Sequence, residues 1–364
     1  MTLSLLLGAG VLFSAFVGVN VGGSSTAAAF GPSVGSQMVT KSIAGLLMTT
    51  FVFVGAWTVG RHVVKTLNEG IVPAGTLTLQ AGVVVLLFVG SSLLVANAIG
   101  IPGSTSETTV GAIVGLGLAT NTLQVAKVSS IAAWWVVSPV LALVVAGLVG
   151  RYAYARLERT LMDGERIDGP VLSVDRDGTI PTIERSADLS TRHAVVVGLT
   201  VLVGCYMAFS AGASNVANAV GPLVGEGALD ISTTIVLATA AIGLGAFTIA
   251  RRTLEVLGGD LAQLPLVAAL VVELIAASFI TFLSALGIPA SLAITTTCSI
   301  VGLNLGRARR RTHADTPAAV ATDGGTEGDE LLDTETTWRS VGVWILTPLL
   351  SAAATFVVFS FISP

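Results

Sequence analysis

Charge is scarce in this chain. Asp, Glu, Lys and Arg together make up only 11% of its 364 residues, where soluble domains carry about 25%, so a water-facing surface over the whole molecule is excluded. The two cysteines, Cys205 and Cys298, both lie in apolar segments, which fits free buried thiols rather than a disulfide, and no metal-ligand spacing occurs. His62, His193 and His313 sit at segment edges or in a loop and form no cluster, which argues against a zinc or haem centre. The opening MTLSLLLGAG has no basic flank of the kind a cleaved signal peptide carries, so it is expected to stay as part of the first span. No nucleophile–base pair or phosphate-gripping P-loop is present, and Ser24 and Ser25 have no histidine near them in sequence. An enzyme is therefore not expected.

What the chain has in abundance is long apolar sequence, 53% of all residues. Segments of the length that crosses a hydrocarbon core run over Leu3–Asn20, Ile43–Gly60, Leu79–Ile101, Ile131–Gly150, His193–Gly212, Thr233–Ala250, Leu264–Ile288 and Val341–Ile362, with shorter ones over Val110–Ala126 and Ser291–Gly306. The expectation is an all-α membrane protein of about 10 to 12 transmembrane segments, the higher number applying if small-residue stretches form separate half-helices.

Two membrane halves are expected, residues 1–150 and 193–364, joined by a hydrophilic linker over 151–192 that holds seven arginines and eight acids. A second polar loop, 307–338, starts with the basic RARRR of Arg307–Arg311 and ends acidic and rich in Gly, Ala and Thr, a composition that favours disorder. If each half crosses five times and the linker is cytoplasmic, 15 of the 18 basic residues fall inside, leaving Arg61, Lys65 and Lys127 outside. That orientation predicts a multi-pass plasma-membrane protein with both termini outside. An odd number of crossings per half makes the two repeats inverted.

The repeat is visible in the residues. GGSSTAAAFGPSVGS from Gly22 to Ser36 and GASNVANAVGPLVG from Gly212 to Gly225 place Gly31-Pro32 and Gly221-Pro222 at matching points. A second pair, GIPGSTSETTVG from Gly100 and GIPASLAITTTCSIVG from Gly287, sets a Gly-Ile-Pro break before a hydroxyl cluster in each half. Polar groups and loosened backbone at membrane depth persist only where they are buried in protein or line a cavity.

With no Lys or Arg at depth, an inorganic oxyanion must be held by hydroxyls, amides and backbone N–H groups. A helix that starts inside the bilayer offers unpaired N–H groups and the positive end of its dipole. Gly22-Gly23 followed by Ser24, Ser25 and Thr26, and Gly212 followed by Ser214, Asn215 and Asn218, are read as such starts, because glycine permits the break and short polar side chains cap the new helix. Ser104, Thr105 and Ser106 after Pro102, and Thr295, Thr296 and Thr297 after Pro289, supply two more. The same small residues also serve close helix packing, the alternative use of these stretches. Glu107 and Glu273 are the only acids within the apolar segments. A carboxylate there is costly unless protonated, paired or cation-bound, which makes both candidates for the coupling cation, against the alternatives of a solvated interfacial Glu107 and a structural hydrogen bond for Glu273.

The second small-residue stretch resembles the signature of the inorganic phosphate transporter (PiT) family, approximately GANDVANAxGP, through Gly212, Ala213, Val216, Ala217, Asn218, Ala219, Gly221 and Pro222. The first copy keeps only the tail, Ala29-Phe30-Gly31 through Val34-Gly35-Ser36. The break resembles the family's PVSTTHxxVG element at Pro102, Ser104, Thr105 and Gly111, and again at Pro289, Thr296, Thr297 and Gly302; Glu273-Leu274 looks like the family's Glu-Leu pair. Where the family has Asn-Asp, this chain has Ser24-Ser25 and Ser214-Asn215; Ala28 replaces the second Asn of the first copy, and Glu107 and Cys298 replace the histidines.

The resemblance implies inward cotransport of phosphate with Na+ or H+, with the missing aspartates as the expected cation holders. The expected function is thus secondary import of inorganic phosphate driven by a Na+ or H+ gradient, with no cofactor beyond a bound sodium ion. A sulfate permease of the same family is one alternative, and a membrane sensor or scaffold that binds an anion without moving it is another. The expected partners are phosphate or sulfate, the cation and the lipid bilayer, with no nucleic acid; a homodimer is admitted without being fixed by the sequence.

Overall fold

The computed structural model describes residues 2–98, 103–162, 172–175, 182–185, 191–224, 229–251, 254, 264–314 and 334–362. Pro102 of the first break, much of the linker and the acidic part of the 307–338 loop lie outside these residues. The helices are α1 (Thr2–Gly35), α2 (Lys41–Gly55), α3 (Arg61–Lys65), α4 (Leu79–Ala98), α5 (Thr105–Ala119), α6 (Val125–Leu148), α7 (Tyr154–Met162), α8 (Thr191–Val220), α9 (Ile231–Phe247), α10 (Leu266–Ala285), α11 (Leu292–Ala314) and α12 (Thr334–Phe361). Wider π-helical turns at Ala56–Gly60, Thr66–Gly70 and Val149–Ala153 carry α2 into α3, extend α3 and carry α6 into α7. Two short strands, β1 (Leu172–Asp175) and β2 (Thr182–Arg185), pair antiparallel inside the linker, where the sequence predicts loop. Arg307–Arg311 continue α11 as helix rather than opening the polar loop.

Eight helical stretches among the described residues are long and apolar enough to cross a membrane, fewer than the ten to twelve expected. The difference lies in α5 and α11. At 15 residues, α5 rises about 22 Å, short of a ~30 Å core, and the apolar part of α11 ends where Arg307 begins. Each is the return arm of a hairpin. Gln124, just past α5, donates its N–H to the Ile71 carbonyl ahead of α4 at 2.9 Å, so that chain enters and leaves at one end. In the second hairpin Val267, Ala268 and Val272 near the start of α10 pack with Leu303 of α11.

Glycine sets the closest helix contacts. Gly22 lies on the Ile242 carbonyl of α9, Gly212 on Val52 O of α2, Gly111 on Pro348 O of α12 and Gly302 on Leu143 O of α6, each so near that a β-carbon would collide with the oxygen. Association of this kind depends on small residues, because lipid is as apolar as the helices themselves.

The packing partners come in matched pairs. α1 packs on α9 and α8 on α2, α5 on α12 and α11 on α6, α1 on α4 and α8 on α10, and α4 on α12 as α10 on α6. Exchanging α1, α2, α4, α5, α6 with α8, α9, α10, α11, α12 reproduces the same set. α1 and α8 themselves run antiparallel: Gly204 lies by Ala29 and Phe30, and Asn215, further along α8, reaches back to Ser25.

Candidate anion site

The expected helix starts at Gly22 and Gly212 do not form. α1 and α8 pass through both glycines without interruption. Their Gly-Pro pairs fall near the helix ends, Gly31-Pro32 in the last turns of α1 and Gly221-Pro222 in a 3-10 turn after α8. The physical reason is that both glycines face a neighbouring backbone, so they serve approach rather than breakage. The hydroxyls after Gly22 bond within their own helix, Ser24 to Asn20 O and Val21 O, and Thr26 to Gly22 O at 2.6 Å, a local pairing open to any helical Ser or Thr. Ser24 is exposed and lies away from the buried cluster.

Two helix starts do form, one in each hairpin. Ser104 is the N-cap of α5 and accepts the Glu107 N–H at 3.4 Å, one half of a Ser-x-x-Glu capping box. In the second hairpin the capping hydroxyl is Ser291, which accepts the Ile294 N–H at 3.3 Å, while Thr295 donates back to Ser291 O at 2.9 Å. The expected cluster Thr295–Thr297 therefore sits inside the first turns of α11, not at its cap; the Thr296 hydroxyl is buried without a partner. α10 ends on Gly287 at φ +70°, with Ile288 N–H returning to Leu283 O at 2.8 Å, the left-handed termination that glycine favours. Trp135 of α6 donates its indole N–H to Pro289 O at 2.8 Å and pins the break from outside.

The two hairpin tips and α8 meet at one buried cluster. Ser106 and Ser214 both donate to the Ala290 carbonyl, at 3.1 and 2.9 Å, and their oxygens are 3.4 Å apart. Asn218 Nδ2 donates to Ser106 Oγ at 2.9 Å. With both serine protons directed at Ala290 O, Asn218 must offer Ser106 its amino group, and Asn218 Oδ1 is left buried with no partner. Beside this cluster Asn215 Nδ2 donates to Ser25 Oγ at 3.4 Å. These two residues are 190 positions apart, the same offset that separates Gly31 from Gly221.

Of the residues expected from sequence, the structure thus brings together Ser106, Ser214 and Asn218, with Ser25 and Asn215 alongside. Ser104 and Thr105 form the start of α5, and the Thr109 hydroxyl bonds back to Thr105 O at 2.9 Å. Thr297 is part-buried on α11. Glu107 and Glu273 are each 5% exposed, on α5 and on the middle of α10. Ala290 and Ser291 were missed, because one acts through its backbone and the other precedes the conspicuous threonine run. Trp135 lies in an ordinary-looking apolar helix and carried no signal.

The profile of the phosphate transporter family (PHO4) matches residues 21–355. The chain belongs to the phosphate transporter family. Within curated relatives of this family, the sulfate permease CysP of Bacillus subtilis is 31% identical over 97% of this chain and 87% of its own. The chloroplastic inorganic phosphate transporter 2-1 of Arabidopsis thaliana is 26% identical over 86% of this chain and 68% of its own. A solved structure titled the sodium-dependent phosphate transporter superposes with a TM-score of 0.71, covering 99% of this chain and 98% of that one at 21% identity; the fold is shared. The family and the eight apolar helices make this chain a multi-pass membrane transporter rather than an enzyme.

Proposed function

We propose that the chain imports inorganic phosphate across the plasma membrane, holding the anion with the hydroxyl and amide donors of Ser106, Ser214 and Asn218 and the first turns of α5 and α11. The observation that carries this reading is the unpaired Oδ1 of Asn218, a buried acceptor set among donors. Phosphate near neutral pH keeps a hydroxyl that such an acceptor can take, whereas sulfate has none to give. An unpaired buried acceptor costs about 1–3 kcal/mol, so filling it adds to affinity for the protonated anion in particular. In the structure the serine protons go to Ala290 O, and the anion's oxygens replace that carbonyl when the break between α10 and α11 shifts.

Sulfate is the second reading. It is favoured by the 31% identity to CysP over nearly the whole chain, and by the serines and asparagine that stand where the phosphate carriers' signature has Asn-Asp. Uptake of radiolabelled phosphate and sulfate into proteoliposomes, each with the other in excess, separates the two. Phosphate uptake that resists excess sulfate supports the first reading, and the reverse result replaces it with the second. Anion binding without flux into sealed vesicles points instead to a sensor.

The repeat supports alternating access. We infer that the halves are inverted, from antiparallel α1 and α8, from the exchangeable packing pairs, and from the Ser25–Asn215 bond between repeat-equivalent positions. A residue meets its own counterpart only near a two-fold axis, and secondary transporters of this plan bind substrate at the repeat interface. The coupling cation is assigned to Glu107 or Glu273, the carboxyl groups buried among the described residues. Uptake driven by imposed Na+ or H+ gradients tests this. If Glu107→Gln leaves the gradient dependence unchanged, Glu273 holds the role; if Glu273→Gln does so as well, neither does. The excess of basic residues on one side supports a reading with both termini outside, which cysteine accessibility at either end checks.

A further inference from the structure

The arginines at the far ends of α6 and α11 take no part in the anion site, and their arrangement has its own chemistry. α6 and α11 run parallel and in close contact, Gly147 beside Gly302 and Gly150 beside Leu303 and Arg307. A β-carbon on Gly306 would come within 2.9 Å of Arg151 N, so Arg151 and Arg307 stand at one level, where both apolar runs stop. Arg307 stacks over the buried Tyr154 ring at 4.4 Å, and Arg151 lies 5.3 Å from the ring of Tyr152, which is 72% exposed. About one to two turns past Arg151, α7 presents Arg156 and Arg159, and within one turn of Arg307 α11 presents Arg309 and Arg310, all exposed. The acid between them on α7, Glu158, accepts the Tyr154 hydroxyl at 3.2 Å. Directly below this cluster the surface of α6 is exposed and apolar at Leu141, Val144, Val145 and Leu148.

We propose that this end of α6, α7 and α11 is a binding site for an anionic phospholipid, with the headgroup phosphate on Arg151 and Arg307, the outer arginines around it, and the acyl chains along Leu141–Leu148. Arginine suits the task because its guanidinium takes a phosphate through two parallel hydrogen bonds. Tyr152 sits at headgroup level, as interfacial aromatics do. The apolar track below the cluster distinguishes a lipid from a free anion, which has no use for it.

The test uses the purified full-length protein in detergent, with phosphatidylglycerol or phosphatidylcholine added and bound lipid counted by native mass spectrometry. Phosphatidylglycerol is expected to be retained in preference. At about fivefold per arginine near a membrane surface, R309Q/R310Q weakens that retention about twenty-five-fold and R156Q/R159Q by a similar factor, while R309K/R310K keeps most of it and shows that the helix end still folds. Equal retention of the two lipids overturns the proposal, as does retention unchanged in both glutamine variants. Displacement of phosphatidylglycerol by millimolar inorganic phosphate also overturns it, in favour of a free-anion site.

Discussion

Asn218→Ala would separate the proposed anion-binding role of the cluster from its structural role. The wild-type side chain makes one buried hydrogen bond, Nδ2 to Ser106 Oγ at 2.9 Å, and leaves Oδ1 unpaired. Losing a neutral hydrogen bond costs about 1 kcal/mol, and removing an unpaired buried acceptor returns about 1–3 kcal/mol. The small cavity left by the truncation adds a cost of about 1 kcal/mol. These terms nearly cancel, so the variant should melt within a few degrees of wild type. Transport behaves differently. A hydrogen bond to a charged partner contributes about 1.5–3 kcal/mol, which raises the apparent KM for the anion about ten- to hundredfold. Scanning fluorimetry in detergent and concentration-dependent uptake in proteoliposomes read the two quantities on one preparation. An apparent KM within twofold of wild type, at unchanged stability, would refute the placement of the anion at Asn218. A large loss of thermal stability would refute the cancellation, and with it the assignment of Oδ1 as unpaired.

Gly212→Ala should destabilise the protein well beyond the ~1–3 kcal/mol usual for overpacking, because the new β-carbon meets Val52 O on a neighbouring backbone; Gly8→Ala, with nothing within 4 Å, should be silent in the same melting assay. Ser104→Ala removes the cap of α5 at a cost of about 1 kcal/mol, seen as a melting point lower by about 2 °C, with Ser104→Asp restoring most of it. At the start of α9, the Thr233 hydroxyl and the Thr233 and Ser232 N–H groups donate to Asp230 and hold its carboxyl below its ordinary value. Stability from a lowered carboxyl pKa is present above the unfolded value near 3.8 and is lost as pH falls through the lower folded value. Hydrogen exchange at the first turn of α9 should therefore differ between wild type and Asp230→Ala at pH 7, and the difference should narrow by pH 3.

The membrane class and most helices were legible because hydrocarbon imposes a length and a polarity that sequence must meet. Ala290, Ser291 and Trp135 were not legible, since a carbonyl at a break and an indole in an apolar helix look the same whether or not they point at a site. Gly22 and Gly212 misled for a definite reason. In water a Gly-Gly-Ser run interrupts a helix, but in lipid the backbone has no other partner and stays helical, so glycine's missing side chain is used for approach. Arg307–Arg311 misled in the opposite direction: charge suggested a loop, whereas arginine is a good helix former and α11 runs on past the apolar boundary. The linker strands are four residues each, and the single Leu172/Val174 alternation of β1 is too short to stand out from loop.

The polar cluster also explains how a site without charge is kept inside an apolar protein. An arginine there would bind an oxyanion tightly, but in the empty protein it would be a buried, unpaired cation, at a cost of several kcal/mol. Hydroxyls avoid this because each both donates and accepts. Ser106 accepts a hydrogen bond from Asn218 Nδ2 and donates one to Ala290 O, and Ser214 donates to the same carbonyl. The cluster is thus closed on itself, and under the proposed function the Ala290 carbonyl stands where an anion oxygen would bind. Within the cluster Asn218 Oδ1 is left unpaired, and Ser210 on α8, Ser284 on α10 and Thr296 on α11 carry further unpaired buried hydroxyls. The asymmetry between the halves follows from the same constraint. Ala28, at the repeat position of Asn218, puts no amide at that point of α1, and Ser24, at the position of Ser214, is exposed. A second full set of hydroxyls facing the first would have needed a second carbonyl to accept from it, which one donor set against one break does not require.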